Sequence, residues 1–134
     1  MNQDLTEMAR IIVKQSKGFI EANNYEVLKV AENYCELEGL LTETSTNHLG
    51  AAHGGYIFGL ADTAAGIAAM TDGRTAVTIS SNIDYLKPAK TSKLKAIATC
   101  IKNGKTISFF EVKIYDEENN LIAKSNVNYC YISK

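Results

Sequence analysis

The sequence predicts an α+β fold in which a curved antiparallel sheet wraps around one long central helix. Residues 50–70 form one long apolar segment with the length of a helix. The chain after this segment alternates apolar and polar residues, as strands do, and Asn103-Gly104 lies between two such runs as a tight-hairpin signal. At 134 residues the chain is long enough to bury a substantial core. Residues 1–134 are therefore expected to form a single domain.

The segment before the central helix is expected to form one helix and short strands. From Leu5 to about Ile20, apolar residues recur at roughly helical spacing, which predicts an additional, amphipathic N-terminal helix. From Tyr25 onward apolar and polar residues alternate instead, and Gly39 interrupts the run. This pattern indicates either two short strands or one bent strand.

The central helix is predicted over Gly50 to Met70, after the polar loop TETSTNHLG. About four strands are expected after it, arranged as an antiparallel meander. The first ends at the single proline, Pro88, and the next two flank Asn103-Gly104. The last follows the polar turn DEENN.

Composition favours a soluble protein and argues against several functions. Lys plus Arg (14) and Asp plus Glu (15) nearly balance, whereas nucleic-acid binding needs a basic face. Cys35, Cys100 and Cys130 are far apart and include no CxxC pair, so neither a disulfide framework nor a metal site is expected. A membrane span through Asp62 would cost about 2.5–3.5 kcal/mol, and no signal peptide is recognisable. We expect a cytoplasmic protein with no metal, cofactor or membrane partner.

Asp62 is the one carboxylate in the central apolar segment. On a helical projection the bulky side carries Ile57, Leu60, Ala64, Ile67 and Ala68. The opposite side carries small residues around the carboxylate, namely Gly55, Gly59, Asp62, Ala65, Gly66 and Ala69. A solvated face would carry Lys, Arg, Glu or Gln, and this one does not. An ordinary surface Asp is the alternative, but the pattern favours a carboxylate in a functional site or an interface.

The residues HGG, His53 to Gly55, open this helix and indicate a place for negative charge. The first N–H groups of a helix have no partner within it, so Gly54 and Gly55 would present bare backbone donors. Such donors can polarise a carbonyl and hold a developing oxyanion. A tight turn without a chemical role explains these three residues equally well.

One chain cannot bring these two features to the same substrate atom. Gly54 and Asp62 are eight positions apart, which separates them by ~12 Å along a helix. Two antiparallel helices packed through their small faces about a two-fold axis would place Gly54 of one protomer near Asp62 of the other. The sequence therefore predicts a homodimer with two shared sites.

These residues together resemble the hotdog-fold acyl-CoA thioesterases, in particular the phenylacetyl-CoA thioesterase-like branch. The matching motifs are Asn47, His53-Gly54-Gly55 and Leu60-Ala61-Asp62, followed by the strand SNIDYLKPA. The resemblance extends over roughly residues 40–131. It implies a hotdog fold, hydrolysis of an acyl-CoA to free acid and CoA, no cofactor beyond the CoA of the substrate, and a homodimer or a homotetramer built as a dimer of dimers.

The same resemblance implies roles for individual residues. The N–H of Gly54 polarises the thioester carbonyl, and Asn47 helps to place the substrate or water. Asp62 of the partner chain acts as nucleophile or general base. Thr78 on the next strand is expected to position the attacking water, with Ser80 as the alternative. His53 is expected to hold the turn rather than to react.

Substrate contacts are expected near the helix start and at the end of the following strand. His53, Gly55 and Phe58 are expected to contact the substrate. Lys87 and Lys90 could bind the CoA phosphates, and a solvated strand end explains these lysines equally well.

A non-catalytic hotdog domain that senses an acyl-CoA is the alternative function. Such a sensor would keep Asn47 and Gly54 but would not need Asp62.

Many relatives carry a Gly-Asp pair after the proline, where this chain has Thr91-Ser92-Lys93. That departure concerns the rim of the site and the CoA contacts.

Overall fold

The computed structural model describes residues 2–132, which form a six-stranded antiparallel sheet and three helices. The helices are α1 (Asn2–Gln15), α2 (Phe19–Ala22) and α3 (Gly54–Ala69), and the strands are β1 (Tyr25–Ala31), β2 (Tyr34–Leu40), β3 (Thr75–Tyr85), β4 (Lys93–Asn103), β5 (Ile107–Tyr115) and β6 (Leu121–Ile132). A 3-10 turn, Glu43–Ser45, precedes α3. The predicted α+β fold, with a sheet around one central helix and an additional N-terminal helix, is confirmed.

Several predicted boundaries are corrected by the structure. The N-terminal helix divides into α1 and α2 near Gly18, whose φ of +127° is incompatible with a continuous helix. α3 begins at Gly54 rather than Gly50, because residues 47–52 form a closed loop instead. Of the two alternatives before this loop, the structure has two separate strands, β1 and β2. Gly39 lies inside β2 and does not interrupt it. The absence of a side chain at Gly39 leaves room for the Tyr56 hydroxyl.

The strand order is β1-β2-β4-β5-β6-β3, so the predicted meander is only partly correct. β4, β5 and β6 follow one another as hairpins, with turns at Asn103-Gly104 and at DEENN as expected. β3 instead pairs with β6 and forms one edge of the sheet. The chain then returns toward β2, where the Ser92 carbonyl accepts from the Leu41 N–H.

α3 contacts all six strands, which requires the sheet to curve around it. Ala65 and Ala69 were expected on an open small-residue face, yet both are 0% exposed. The expectation was wrong because a curved sheet covers more of a helix than a flat one. The part of α3 that is not fully covered, here called the α3 strip, consists of Gly54, Gly55, Phe58, Gly59, Asp62, Thr63, Gly66 and Ile67. None of the described helices is long and apolar enough to cross a membrane.

Candidate active site

Asp62 is half-buried on the α3 strip and is held by two hydroxyl groups. The hydroxyls of Thr78 and Tyr129 each donate to its Oδ1 atom at 2.8 Å. Thr78 on β3 and Tyr129 on β6 are direct partners across the sheet ladder. Paired residues on neighbouring strands point to the same side of a sheet, so both reach the same carboxylate. The structure thus brings together the predicted residues Asp62 and Thr78.

Tyr129 is a residue that the sequence did not indicate. Its ring is buried, with 2% of the residue exposed, and its hydroxyl also lies 2.6 Å from the backbone carbonyl of Asp62. Burial raises the pKa of Tyr129 far above its ordinary value, and the Asp62 carboxylate raises it further. The hydroxyl therefore stays protonated and can donate to the carboxylate. The alternation of apolar and polar residues in β6 predicts that Tyr129 is buried. Its contact with Asp62 follows only from the pairing of β3 with β6, which the sequence does not indicate.

The structure distinguishes between the two hydroxyl residues considered on β3. The β3–β6 register shifts between Thr78 and Ser80, which makes Ile79 the extra residue of a bulge. Thr78 pairs with Tyr129 and contacts Asp62. Ser80 pairs with Asn128 instead and accepts a hydrogen bond from its side-chain amide at 2.8 Å. Thr78 is thus the hydroxyl residue beside Asp62.

The start of α3 presents one open backbone donor rather than the two expected. The His53 Nδ1 atom accepts from the Gly55 N–H at 2.8 Å, so the imidazole caps the helix and that donor is occupied. Among residues 2–132, none accepts from the Gly54 N–H. The Tyr85 hydroxyl donates to the Gly54 carbonyl at 2.7 Å. Because no described residue accepts from it, the Gly54 N–H is available to a ligand.

Asn47 lies in the loop before α3, where its side chain organises the backbone. Its Oδ1 atom accepts from the N–H groups of Leu49 at 2.9 Å and Ala51 at 3.1 Å. The side-chain amide has no acceptor among the residues that the structure describes. Asn47 can thus offer its N–H groups to a ligand while its carbonyl oxygen shapes the loop.

Gly54 and Asp62 are not adjacent within one chain. Both lie on the uninterrupted helix α3, and eight residues of helix separate them by ~12 Å. A thioester carbonyl that accepts from the Gly54 N–H cannot also lie against the Asp62 carboxylate of the same chain. The two halves of the predicted site are therefore apart in the monomer.

Aromatic side chains cover the α3 strip next to Asp62. Phe58 is half-buried, and the ring of Phe19 lies over Gly59, where an added Cβ would be 2.8 Å from its Cζ atom. The Phe19 ring in turn packs on Tyr25, at 5.9 Å between centroids, and is 60% exposed. An apolar acyl group could lie along these rings.

The predicted phosphate-binding lysines, Lys87 and Lys90, are exposed and lie beside carboxylates. Lys90 lines a cleft of about 960 Å³ together with Glu43, Asp116, Glu117 and Glu118. Hydrogen bonds from Thr91 and Ser92 lower the pKa of Glu117 to about 2, so this carboxylate is ionised. The neighbourhood of Lys90 is therefore not strongly positive.

No group of three or more metal-ligating side chains occurs among residues 2–132.

An antiparallel sheet wrapped around one long helix is the arrangement of the hotdog-fold proteins. The family model described as Thioesterase superfamily matches residues 49–123, so the chain belongs to this superfamily. The family resemblance inferred from the motifs is thereby confirmed.

Individual relatives agree with this assignment. Acyl-coenzyme A thioesterase 13 of Mus musculus is 31% identical over 117 residues, which cover 85% of this chain and 84% of that protein. The structure of the Escherichia coli PaaI protein from the phenylacetic acid degradation operon matches with a TM-score of 0.91, at 22% identity, over 98% of this chain and 96% of that one; at this identity it shows the fold. A Streptococcus mutans protein bound to acetyl CoA matches with a TM-score of 0.81, at 27% identity, over 90% and 95% of the chains.

Proposed function

We propose that this protein is an acyl-CoA thioesterase that hydrolyses its substrate to a free acid and CoA. Membership of the thioesterase superfamily supports this reaction, as do the activity named for the mouse relative and the acetyl CoA bound to the Streptococcus mutans protein. The observation that carries the proposal is the Asp62 carboxylate, held by two hydroxyls on an otherwise apolar helix. A sensor that only bound acyl-CoA would not need this carboxylate.

The reaction needs two groups in the proposed mechanism. The Gly54 N–H, at the positive end of the helix dipole, polarises the thioester carbonyl and stabilises the oxyanion. As a general base, Asp62 removes a proton from water, whose oxygen forms the new bond to the carbonyl carbon. The C–S bond then breaks, and the CoA thiolate takes up a proton. As a nucleophile, Asp62 itself would form an acyl anhydride, which water would then hydrolyse.

The two groups belong to different protomers of a homodimer in this proposal. Within a chain they are ~12 Å apart along α3, which exceeds the distance that one carbonyl group can span. An antiparallel pair of α3 helices would bring Gly54 of one protomer toward Asp62 of its partner. Gly59 does not contribute to this approach, because the rings of Phe19 and Tyr25 already occupy the space beside it.

The edge strand β3 offers the contact through which two protomers would associate. It is 11 residues long and has a strand neighbour, β6, on only one side within the described chain. Val77 and Ile79 are 46% and 50% exposed along it. A long strand edge with unpaired backbone groups can pair with another chain. Pairing two copies of β3 would place Thr78 and Asp62 beside the interface. Assembly of two such dimers into a tetramer stays a prediction.

Replacement of the carboxylate tests this proposal. Asp62→Asn keeps the size of the side chain but removes the base, so hydrolysis should fall by at least about 100-fold. Asp84→Asn is the matched control, because Asp84 is an exposed carboxylate on β3 and its loss should leave turnover unchanged. Release of free thiol from aryl, short-chain and long-chain acyl-CoAs would be measured for both variants.

Two results would contradict the proposal. Unchanged turnover in Asp62→Asn would remove Asp62 from the mechanism. Binding of acyl-CoA without hydrolysis by the wild-type protein would instead establish the sensor. Circular dichroism of each variant would show that the fold is retained.

A further inference from the structure

The two oxygens of the Asp62 carboxylate have different surroundings. Oδ1 accepts from Thr78 and from Tyr129, each at 2.8 Å. Among residues 2–132, none donates to Oδ2. Two donors on one oxygen restrict rotation about χ2, so Oδ2 has a fixed direction. The carboxylate is asymmetric before any substrate arrives.

Tyr129 is the more rigid of the two donors. Its ring meets Phe110 edge-on, with centroids 6.1 Å apart and an interplanar angle of 85°. Its hydroxyl fits against Gly66, where an added Cβ would lie 3.3 Å from the oxygen. Packing thus fixes the position of the hydroxyl, and the absence of a side chain at Gly66 makes room for it. Thr78 is exposed and lies on the edge strand.

We propose that Tyr129 is a positioning residue that, with Thr78, fixes Oδ1 so that Oδ2 is the oxygen that reacts. This inference rests on the proposed thioesterase function and adds to it the identity of the reacting atom. Tyr129 does not exchange a proton in the reaction, because burial and the nearby carboxylate raise its pKa and keep it protonated. It acts through the orientation of Asp62 alone.

The proposal predicts a loss of turnover without a loss of substrate affinity. Catalysis needs the base or nucleophile within about 3–3.5 Å of its target, and small misplacements reduce the rate strongly. A carboxylate with one anchor removed samples other χ2 angles, so the reactive geometry is populated less often. Substrate contacts elsewhere are unaffected, and KM should change little.

Tyr129→Phe tests the proposal directly, because it keeps the ring and removes only the hydroxyl. We expect kcat to fall about 10- to 100-fold, with KM within about twofold of the wild-type value. Tyr131→Phe is the matched control: its hydroxyl bonds the carbonyl of Ala69 at 3.1 Å, on the same helix but away from Asp62. This control should retain the wild-type kcat. A wild-type kcat in Tyr129→Phe would overturn the proposal.

Thr78 supplies a second pair of variants if Tyr129→Phe does not fold. Thr78→Val should lower kcat, and Thr78→Ser, which keeps the hydroxyl, should restore it to near the wild-type value. Equal kcat values in the Val and Ser variants would overturn the proposal.

Failure of this inference is distinguishable from failure of the proposed function. If Asp62→Asn retains wild-type turnover, the function assigned to Asp62 is wrong. If Asp62→Asn is inactive while Tyr129→Phe is fully active, only the positioning role is wrong.

Discussion

At the scale of single residues, Asp62 shows how a carboxylate can lie on an apolar helix. Each hydrogen bond to a charged group contributes about 1.5–3 kcal/mol, and Asp62 accepts one from Thr78 and shares a second from Tyr129. These bonds offset the cost of partly removing the charge from water. The carboxylate is thus tolerated in the folded chain and keeps one oxygen for a ligand.

Some of these residues could be predicted from the sequence and others could not. Asp62 and Gly54 were predictable because helical spacing alone places them on one element. Gly55 was wrongly counted as an open donor, since a neighbouring imidazole can cap a helix and nothing in the sequence fixes its rotamer. Tyr129 lies 67 residues from Asp62. Its contact depends on strand order, which local patterns do not determine.

The His53 cap leads to a prediction for stability. His53→Ala leaves the Gly55 N–H without its acceptor, so the free energy of unfolding should fall by about 1 kcal/mol. Urea denaturation would measure this change. His48→Ala is the control, because His48 is an exposed residue of the preceding loop and its loss should change stability by less than about 0.5 kcal/mol. Equal stability of the two variants would mean that the cap contributes nothing.

At the scale of elements, the central helix was more predictable than the sheet around it. α3 is predicted by one long apolar run, and its start was misplaced because Gly50, Ala51 and Ala52 share the small apolar composition of the helix. The hairpins were predictable from turn residues. The position of β3 was not predictable. Strands that follow one another in sequence are usually neighbours in a sheet, so a meander was expected. Pairing with β6 is what brings Thr78 to Asp62.

The edge position of β3 leads to a prediction for association. In a two-fold contact each residue faces its own copy or a near neighbour of it, so lysines introduced on β3 would repel one another. Val77→Lys with Ile79→Lys should weaken dimerisation at least tenfold, by about 1.4 kcal/mol. Analytical ultracentrifugation over a range of protein concentrations would measure it.

An interior strand provides the control for this experiment. Ile101 is 64% exposed, more than either β3 residue, but it lies on β4, which β5 and β6 separate from β3 in the sheet. Ile101→Lys should leave the dimer intact. Association as tight in the β3 variant as in Ile101→Lys would exclude β3 as the contact.

At the scale of the whole molecule, one chain folds around its own core, but it holds Gly54 at the start of α3 and Asp62 near the middle of that helix. Phe110, Val112 and Leu60 are fully buried within the single chain, so a partner is not required to cover them. Gly54 and Asp62, the two groups that the proposed mechanism uses, are ~12 Å apart within each chain. In this proposal, folding requires one chain and activity requires two.

The shared site can be tested by combining two inactive chains. One carries Asp62→Asn, and the other carries Gly54→Pro, which removes the N–H donor. Proline suits the first position of a helix, and His53 before it has φ −67° and ψ 139°, which the residue before a proline accepts. Each variant alone should lose at least about 100-fold in turnover.

The decisive measurement is the turnover of acyl-CoA by hybrid dimers refolded from an equal mixture of these two variants, with hybrid formation verified by native mass spectrometry. Half of the dimers would be hybrids, and each hybrid would contain one site with both Gly54 and Asp62 intact. A site shared between protomers should give recovery of about a quarter of the wild-type turnover. Turnover no higher than the average of the two parent variants, in a sample shown to contain hybrids, would contradict a site shared between protomers.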